Sequence, residues 1–324
     1  MTGQEALMLR SVWKNRILLF SLSSLMLLFF LFPVAAFQGA RTGLLLWFHQ
    51  VLPSLLPFLI LSNLILSCGI HRSLGRLLFP VFSRLFSLTA SGCYALLLGC
   101  LSGLPLSAKV ISDLYEKGEL TKREGILLLT LCSNPSPMFL ISYVAVSQLA
   151  LPEHPYLVLL LVFGSALLSH LTFRLLFRTE KNALTAPPSP CDLPQELSFS
   201  TIDSCIMNGF EVAAKIGGYI VLFSIVSSIY EVLTAALPGT LLTLLPISVL
   251  EITTGIRALC SGQLSASVRL TMVVACCNLG GLSVFAQTKS VLSSCLLPFR
   301  QFVHIKLLQT LLGLLLTQIT CRLV

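Results

Sequence analysis

The chain has 324 residues, 55% of them hydrophobic and only 10% charged, with a formal net charge of +8. A soluble globule needs about a quarter of its residues charged to cover its surface, so this composition places the chain in a bilayer. The positive excess excludes a nucleic-acid partner, since no basic stretch is interleaved with aromatic residues, and is the surplus that multi-span proteins keep on their cytoplasmic side.

Arg10, Lys14 and Arg16 precede an apolar run from Ile17 to Phe37. That run is long enough to span and longer than a signal-peptide core, so it predicts a retained first span with its N-terminus inside. Leu44 to Cys68 predicts a second crossing, bent where Pro53 and Pro57 interrupt it. His71 to Leu88 sets Arg72, Arg76 and Arg84 among apolar residues at near-helical spacing, the pattern of a helix lying at the interface.

Gly92 to Ile111 then enters the membrane carrying "SGLPLSAK", Ser102 to Lys109. A polar loop, "SDLYEKGELTKREG", follows, then Ile126 to Leu149 with "CSNPSP" at its centre, and Pro155 to Phe177 closes the half. Residues 178–203 are rich in Pro and polar residues and read as a linker. The second half holds an amphipathic approach from Asp203, a span from Ile216 to Leu237 and a turn at Pro238 and Gly239. Thr240 to Cys260 is interrupted by "EITTGIR", Ser265 to Leu297 by "CCNLGG", and a last span runs from about Phe302 to Val324. His304 and Lys306 at its start are expected as interface anchors. His49 and His170 are expected as satisfied interior or interfacial groups.

Shifting the chain against itself by 144 positions lays "GELT" at Gly118 over "GQLS" at Gly262, and Cys132 and Asn134 over Cys276 and Asn278. Both halves also share one order: a span, an interrupted segment, a polar loop, a second interrupted segment and a closing span. Paired interruptions of this kind mark a transporter built from two repeats with its site between them. With each octapeptide-type segment as a re-entrant hairpin, most Lys and Arg fall inside, and Arg41, Arg257, Arg269 and Arg322 fall outside, so the repeats are inverted. The expected fold is therefore all-α: a polytopic helical membrane protein with two inverted repeats containing broken or re-entrant helices.

Irregular backbone survives at membrane depth only where protein or a water-filled cavity surrounds it. Gly103 and Pro105 break the helix, Ser102 and Ser107 can bond the freed backbone or a ligand, and Lys109 adds a cation near a half-helix N-terminus, which favours an anion. As an isolated lysine, Lys109 is equally read as snorkelling to the interface. In the second half Glu251, Thr253, Thr254, Gly255 and Arg257 occupy the corresponding place. Glu251 either takes a coupling proton or cation or pairs with Lys109 or Arg257. Asn134 and Ser136, with Pro135 and Pro137, and Asn278, Gly280 and Ser283, with Gly281 and Gln287, complete the candidate binding residues.

The eleven cysteines lie mostly in apolar runs without a CxxC pair, which points to small buried hydrophobes and to no metal site. No nucleophile motif, metal-protease motif or phosphate-binding loop occurs, so neither an enzyme nor a cofactor is expected.

The stretch "SGLPLSAKVISDLYEKGELTKREGILLLTLCSNPSPMFL", with "GGYIVLFSIV", "LEITTGI" and "CCNLGGLSVFAQ", resembles the sporulation integral membrane protein family of the YlbJ type. The likeness runs from about Leu44 to the end. It departs where the family often shows "SGFPTGAK", since Leu104, Leu106 and Ser107 stand here. The resemblance implies two nucleoside recognition, or Gate, domains: an N-terminal segment with the first transmembrane helix over 1–43, a first Gate-like repeat over 44–177, the linker over 178–203 and a second repeat over 204–324. It further implies a bacterial membrane around the forespore, a part in spore maturation and cortex formation, and movement of dipicolinic acid toward the forespore. The partners it implies are lipid and a small anionic substrate, with a coupling proton or cation and a homo-oligomer left open. A nucleoside-type transporter and a non-transporting scaffold for cortex assembly are the alternative readings.

Overall fold

The computed structural model describes residue 16 and residues 19–86, 88–176, 198–237, 241–292 and 299–323, and these form helices and no strand. Arg10, Lys14, most of the expected linker and the turn at Pro238 and Gly239 lie outside the described residues. Four described helices are long and apolar enough to cross a membrane, or up to six spans if two bent pairs each count as one. The chain is thus an all-α integral membrane protein.

The first expected span is not one rod. Helix α1 (Leu19–Leu31) meets α2 at Phe32 with a bend of 103°. Pro33 opens α2 (Pro33–Leu46), and a proline lacks the N–H that would continue the preceding ladder yet suits the first turn of a new helix. Gly39 and Gly43 let α2 lie close against α9 (Phe199–Thr234): a Cβ at 39 would stand 2.7 Å from the Ile225 Cα. A π-helical turn, Trp47–Val51, joins α2 to α3 (Leu52–Ser67), and the Trp47 indole N–H donates to the Ala213 carbonyl at 2.9 Å. Helix α4 (His71–Phe86) turns away from α3 by 97° and leaves Leu77, Phe79, Val81 and Leu85 exposed.

Helices α5 (Ala90–Ser102) and α6 (Leu106–Glu116) form the first hairpin. The expected polar loop is shorter than it reads, because α6 continues to Glu116, burying Leu114, and α7 (Lys122–Cys132) starts before the apolar run does. At 1.5 Å per residue α5 is only about 20 Å long, against a hydrocarbon core of about 30 Å. Neither arm of the hairpin is therefore long enough to cross by itself. After a break at Ser133–Ser136, a π-helix (Phe139–Gln148) and α8 (Leu157–Leu176) complete the half.

The later elements follow the same order. The long α9 is followed by a second short hairpin, α10 (Leu241–Leu250) and α11 (Ile252–Ser261). Next come α12 (Ala266–Leu279), broken at Gly280 and Gly281 where φ is +80° and +77°, then α13 (Gly281–Val291) and the closing α14 (Phe299–Leu323). The halves interlock: α13 packs on α6 of the first half, the first-half π-helix packs on α11 of the second, and α8 packs along α14. One apolar core combines α3 to α7 with the middle of α9 and with Phe302 and Ile305 of α14. The other combines the π-helix and α8 with α11 and α12.

Candidate functional site

The first hairpin turns at Gly103, whose φ of +72° is open to glycine at little cost. A Cβ there would also come within 2.6 Å of the Asn134 carbonyl and the Ser136 nitrogen. Leu104 N–H donates to the Asn134 carbonyl at 2.9 Å, so the hairpin turn is bonded directly to the break after α7. Around it, Ser102 Oγ donates to Leu98 O, Ser136 Oγ accepts from Phe139 N–H, and Ser107 Oγ is buried without a partner. The turn's backbone is thus satisfied within the hairpin, by bonds such as Gly103 N–H to Gly99 O and Ser107 N–H to Gly103 O, and by the broken segment at Leu104.

The second hairpin solves the same problem with a side chain. Glu251 sits in extended conformation before α11, and its carboxylate accepts from the N–H groups of Thr253 and Thr254 at 2.9 and 2.8 Å and from both threonine hydroxyls. A carboxylate here answers unpaired N–H donors and the positive end of the helix. Of the two readings of Glu251, the pair with Lys109 or Arg257 does not form. Lys109 pairs instead with Asp113 at 2.6 Å, one turn on along α6, and half-exposed Arg257 lies 3.9 Å from Glu231 on α9. Thr253 and Thr254 act in the cap, and Gly255 packs against Ser248.

At the centre, the two asparagines that the 144-residue shift superposes share one partner. Gln309 Nε2 donates to Asn134 Oδ1 at 2.6 Å and to Asn278 Oδ1 at 3.0 Å, and Ser165 Oγ donates to the same Asn278 oxygen. Gln309 Oε1 accepts from Lys306 Nζ at 2.9 Å, and Lys306 also donates to the Ser133 carbonyl at 2.7 Å. Asn134, Asn278, Gln309 and Lys306 are all buried, and Asn278 Nδ2 has no partner. Lys306 is therefore not an interface anchor: α14 starts at Phe299, which carries Lys306 two turns into the protein, while His304 stays exposed. The signal for this pair was a Lys and a Gln three positions apart in an otherwise apolar segment, one face of one helix. Gly280 is left-handed at the second break, and Ser283 accepts from Gln287 on α13. His170 is buried with Nδ1 2.9 Å from Thr130 Oγ1, and His49 is exposed.

Two cavities flank α9. The larger, about 710 Å³, is lined by Asn63 and Ser67 of α3, Lys109 and Asp113 of α6, Lys117, and hydroxyl and amide groups of α9 from Ser200 to Asn208. The smaller, about 150 Å³, is lined by Gln38 and Thr42 of α2, Ser224, Ser227 and Glu231 of α9, and Thr254 and Arg257 of α11. Their α9 residues, Ser200 to Asn208 and Ser224 to Glu231, are centred about 36 Å apart and lie about 24 Å apart at their nearest, at 1.5 Å per residue, a spacing comparable with the hydrocarbon thickness. Lys109 and Arg257, each on the second helix of its hairpin, line different cavities. Of the candidate residues, Lys109 lines the larger cavity, Thr254 and Arg257 line the smaller, and Asn134 and Asn278 join the closed central network. Among the described residues no cluster suited to a metal occurs and every cysteine is free.

Beside the larger cavity's end of the molecule, Glu119 joins α4 to the α6–α7 loop. It accepts from His71 Nε2 at 2.8 Å, from Arg72 at 2.7 Å and from Ser91. Burial pushes this carboxyl up, but the hydrogen bonds from His71, Arg72 and Ser91 and the His71 charge outweigh it and hold it at about 2.

Broken helices and paired short hairpins in an all-α integral membrane protein define its class. The chain is 29% identical over 307 residues to the sporulation integral membrane protein YlbJ of Bacillus subtilis (strain 168), a match covering 86% of this chain and 75% of that protein. The likeness to the YlbJ-type family read from the sequence is thereby borne out. No family model matches the chain, and no solved structure does.

Proposed function

We propose that the protein is a secondary transporter that moves a small organic anion during spore formation, dipicolinate being the specific case. The observation that carries this reading is the junction at Gln309, where the two broken segments meet, in a protein whose two cavities lie at opposite ends of α9. Transporters of two inverted repeats place their site between paired discontinuous helices and expose it to each side in turn. The opposite placement of Lys109 and Arg257 supports that inversion, and the charges expected inside, Arg72 and Lys117, lie at the other end of α9 from Arg257. The larger cavity is the open vestibule, with room for a planar dianion; Lys117, Asn63 and Asn208 line it to meet oxygens, together with Lys109, which must turn from Asp113 to do so, and Glu116 also lies on the wall. The sporulation name of the Bacillus relative supports the biological setting.

The test is uptake of radiolabelled dipicolinate into proteoliposomes. Wild type is expected to accumulate label above protein-free vesicles, and Lys109→Ala to lose most of that uptake while inserting normally. No uptake by the wild type in either membrane orientation overturns the proposal.

A further inference from the structure

Lys306 is 1% exposed, and its ammonium donates to two neutral oxygens, the Ser133 carbonyl and Gln309 Oε1. Among the described residues no carboxylate lies within ion-pair distance of it. An ammonium withdrawn from water without an acid is costly unless local dipoles replace the lost solvation. Those dipoles are present. Ser133 directly follows α7, so its carbonyl stands at the negative end of a half-helix, where the last carbonyls have no partner within the helix. Gln309 turns its own carbonyl oxygen toward Lys306 because its amide group is held by both Asn134 and Asn278. Ser133 Oγ adds a buried oxygen with no partner of its own.

Neutral oxygens gathered at the end of a broken helix are the chemistry with which discontinuous helices hold a monovalent cation. Here a side chain from a different helix, α14, delivers the positive charge to that place. We infer that Lys306 is a built-in cation: its tethered ammonium fills a monovalent-cation position formed by the end of α7 and Gln309, and so locks the two broken segments together without a dissolved ion. A consequence, which rests on the transport reading above, is that substrate movement has no requirement for Na⁺.

The stability of the purified full-length protein in detergent tests the inference without any transport substrate. Thermal unfolding is measured in sodium chloride, propylammonium chloride and choline chloride at equal ionic strength. Wild type is expected to show one Tm in all three. Lys306→Ala opens space for a free cation, and its Tm is expected to rise saturably, by about 3–5 °C, with Na⁺ or propylammonium relative to choline. Lys306→Met keeps the bulk and removes the charge, and is expected to melt below wild type with no response to either ion. A Lys306→Ala protein that responds to neither ion overturns the inference, as does a Lys306→Met protein as stable as wild type. If Lys306→Ala does not fold in choline, recovery of monodisperse protein in Na⁺ or propylammonium supports the inference, and failure to recover it in either overturns it. In proteoliposomes, wild-type uptake is expected to be equal in Na⁺ and choline. A complete lack of uptake would remove the transport reading and leave the stability result standing.

Discussion

The two short hairpins meet one physical demand with different chemistry. In the first, Gly103 and the following Leu104–Pro105 turn the chain, and the freed Leu104 N–H is answered by the Asn134 carbonyl of another segment. In the second, Glu251 answers the N–H groups of its own helix, and neighbouring segments reach the turn only through side chains, Cys276 Sγ toward the Ser248 carbonyl and the Tyr143 hydroxyl to the Thr253 carbonyl. The first hairpin is therefore coupled to its neighbouring break through the backbone, whereas the second carries its own buried cap. The difference predicts which substitutions unfold a hairpin locally and which uncouple it from the central junction.

Glu251→Ala is the largest expected effect. It strands two backbone N–H groups and two hydroxyls in a buried place, and a destabilisation of about 3 kcal/mol is expected by thermal or denaturant unfolding in detergent. Glu251→Gln keeps one oxygen acceptor and is expected to cost about half of that. If Glu251→Ala melts like wild type, the second hairpin is held by its packing alone and the contrast between the hairpins disappears. Gly103→Ala comes next, at about 2 kcal/mol, because a Cβ must adopt a left-handed conformation and also displace the backbone of Asn134 and Ser136. Unlike Glu251→Ala, it is expected to raise cysteine-reagent accessibility at position 134 in an Asn134→Cys background, since it breaks the link between the two interruptions.

Much of this arrangement was legible because Gly and Pro have few other uses inside an apolar segment. The breaks at Gly103, Pro135 and Gly280 follow from dihedral freedom and missing donors, and the pairing of Asn134 with Asn278 follows from the internal shift. What links those asparagines was not legible. At that shift Gln309 falls over Ser165, which bonds the same Asn278 oxygen, but Lys306 falls over Val162, and a lysine near a span's start reads as an interface group until the helix is seen to begin at Phe299, two turns before it. The Lys109–Asp113 pair was hidden for a similar reason: Ser112 to Gly125 is polar enough to read as a loop, yet α6 runs through its first five residues because Leu114 is buried against the core. The bend at Phe32 was masked by hydropathy, which counts Pro33 as one more residue of an apolar run.

Glu119 offers a pH-dependent comparison between the hairpins, since its ties to His71, Arg72 and Ser91 hold only the first. Its carboxyl is held at about 2 in the folded protein against an ordinary 4.5. A depressed acid contributes fully above its unfolded value, and the contribution is lost as pH falls from about 4.5 toward 2. Wild type is expected to lose stability steeply across that window, while Glu119→Gln, already weakened by about 1–2 kcal/mol at pH 7, shows a shallower dependence there. Equal slopes for the two proteins would remove Glu119 from the account of how α4 is fastened to the first hairpin.

The smallest expected effect on stability belongs to Arg257, and set beside Lys109 it separates folding from function. Arg257 stands half-exposed at a distance of 3.9 Å from Glu231, so Arg257→Ala is expected to change stability by about 1 kcal/mol or less, whereas Lys109 is buried beside Asp113 and Lys109→Ala, which leaves that carboxylate unpaired, is expected to cost about 1–2 kcal/mol. Their effects on uptake are expected to differ in kind. Lys109 lines the larger vestibule, so Lys109→Ala is expected to raise the half-saturating dipicolinate concentration about tenfold from that side, as the loss of a charged contact with substrate would. Arg257 lines the smaller cavity, where a substrate arriving from the opposite side would first be met, so Arg257→Ala is expected to weaken uptake in vesicles of reversed orientation. Orientation-sorted proteoliposomes measure both. Identical losses from both sides for both variants would mean that the cavities are not alternate mouths of one path, and the placement of the two cations in different cavities would then reflect helix packing alone.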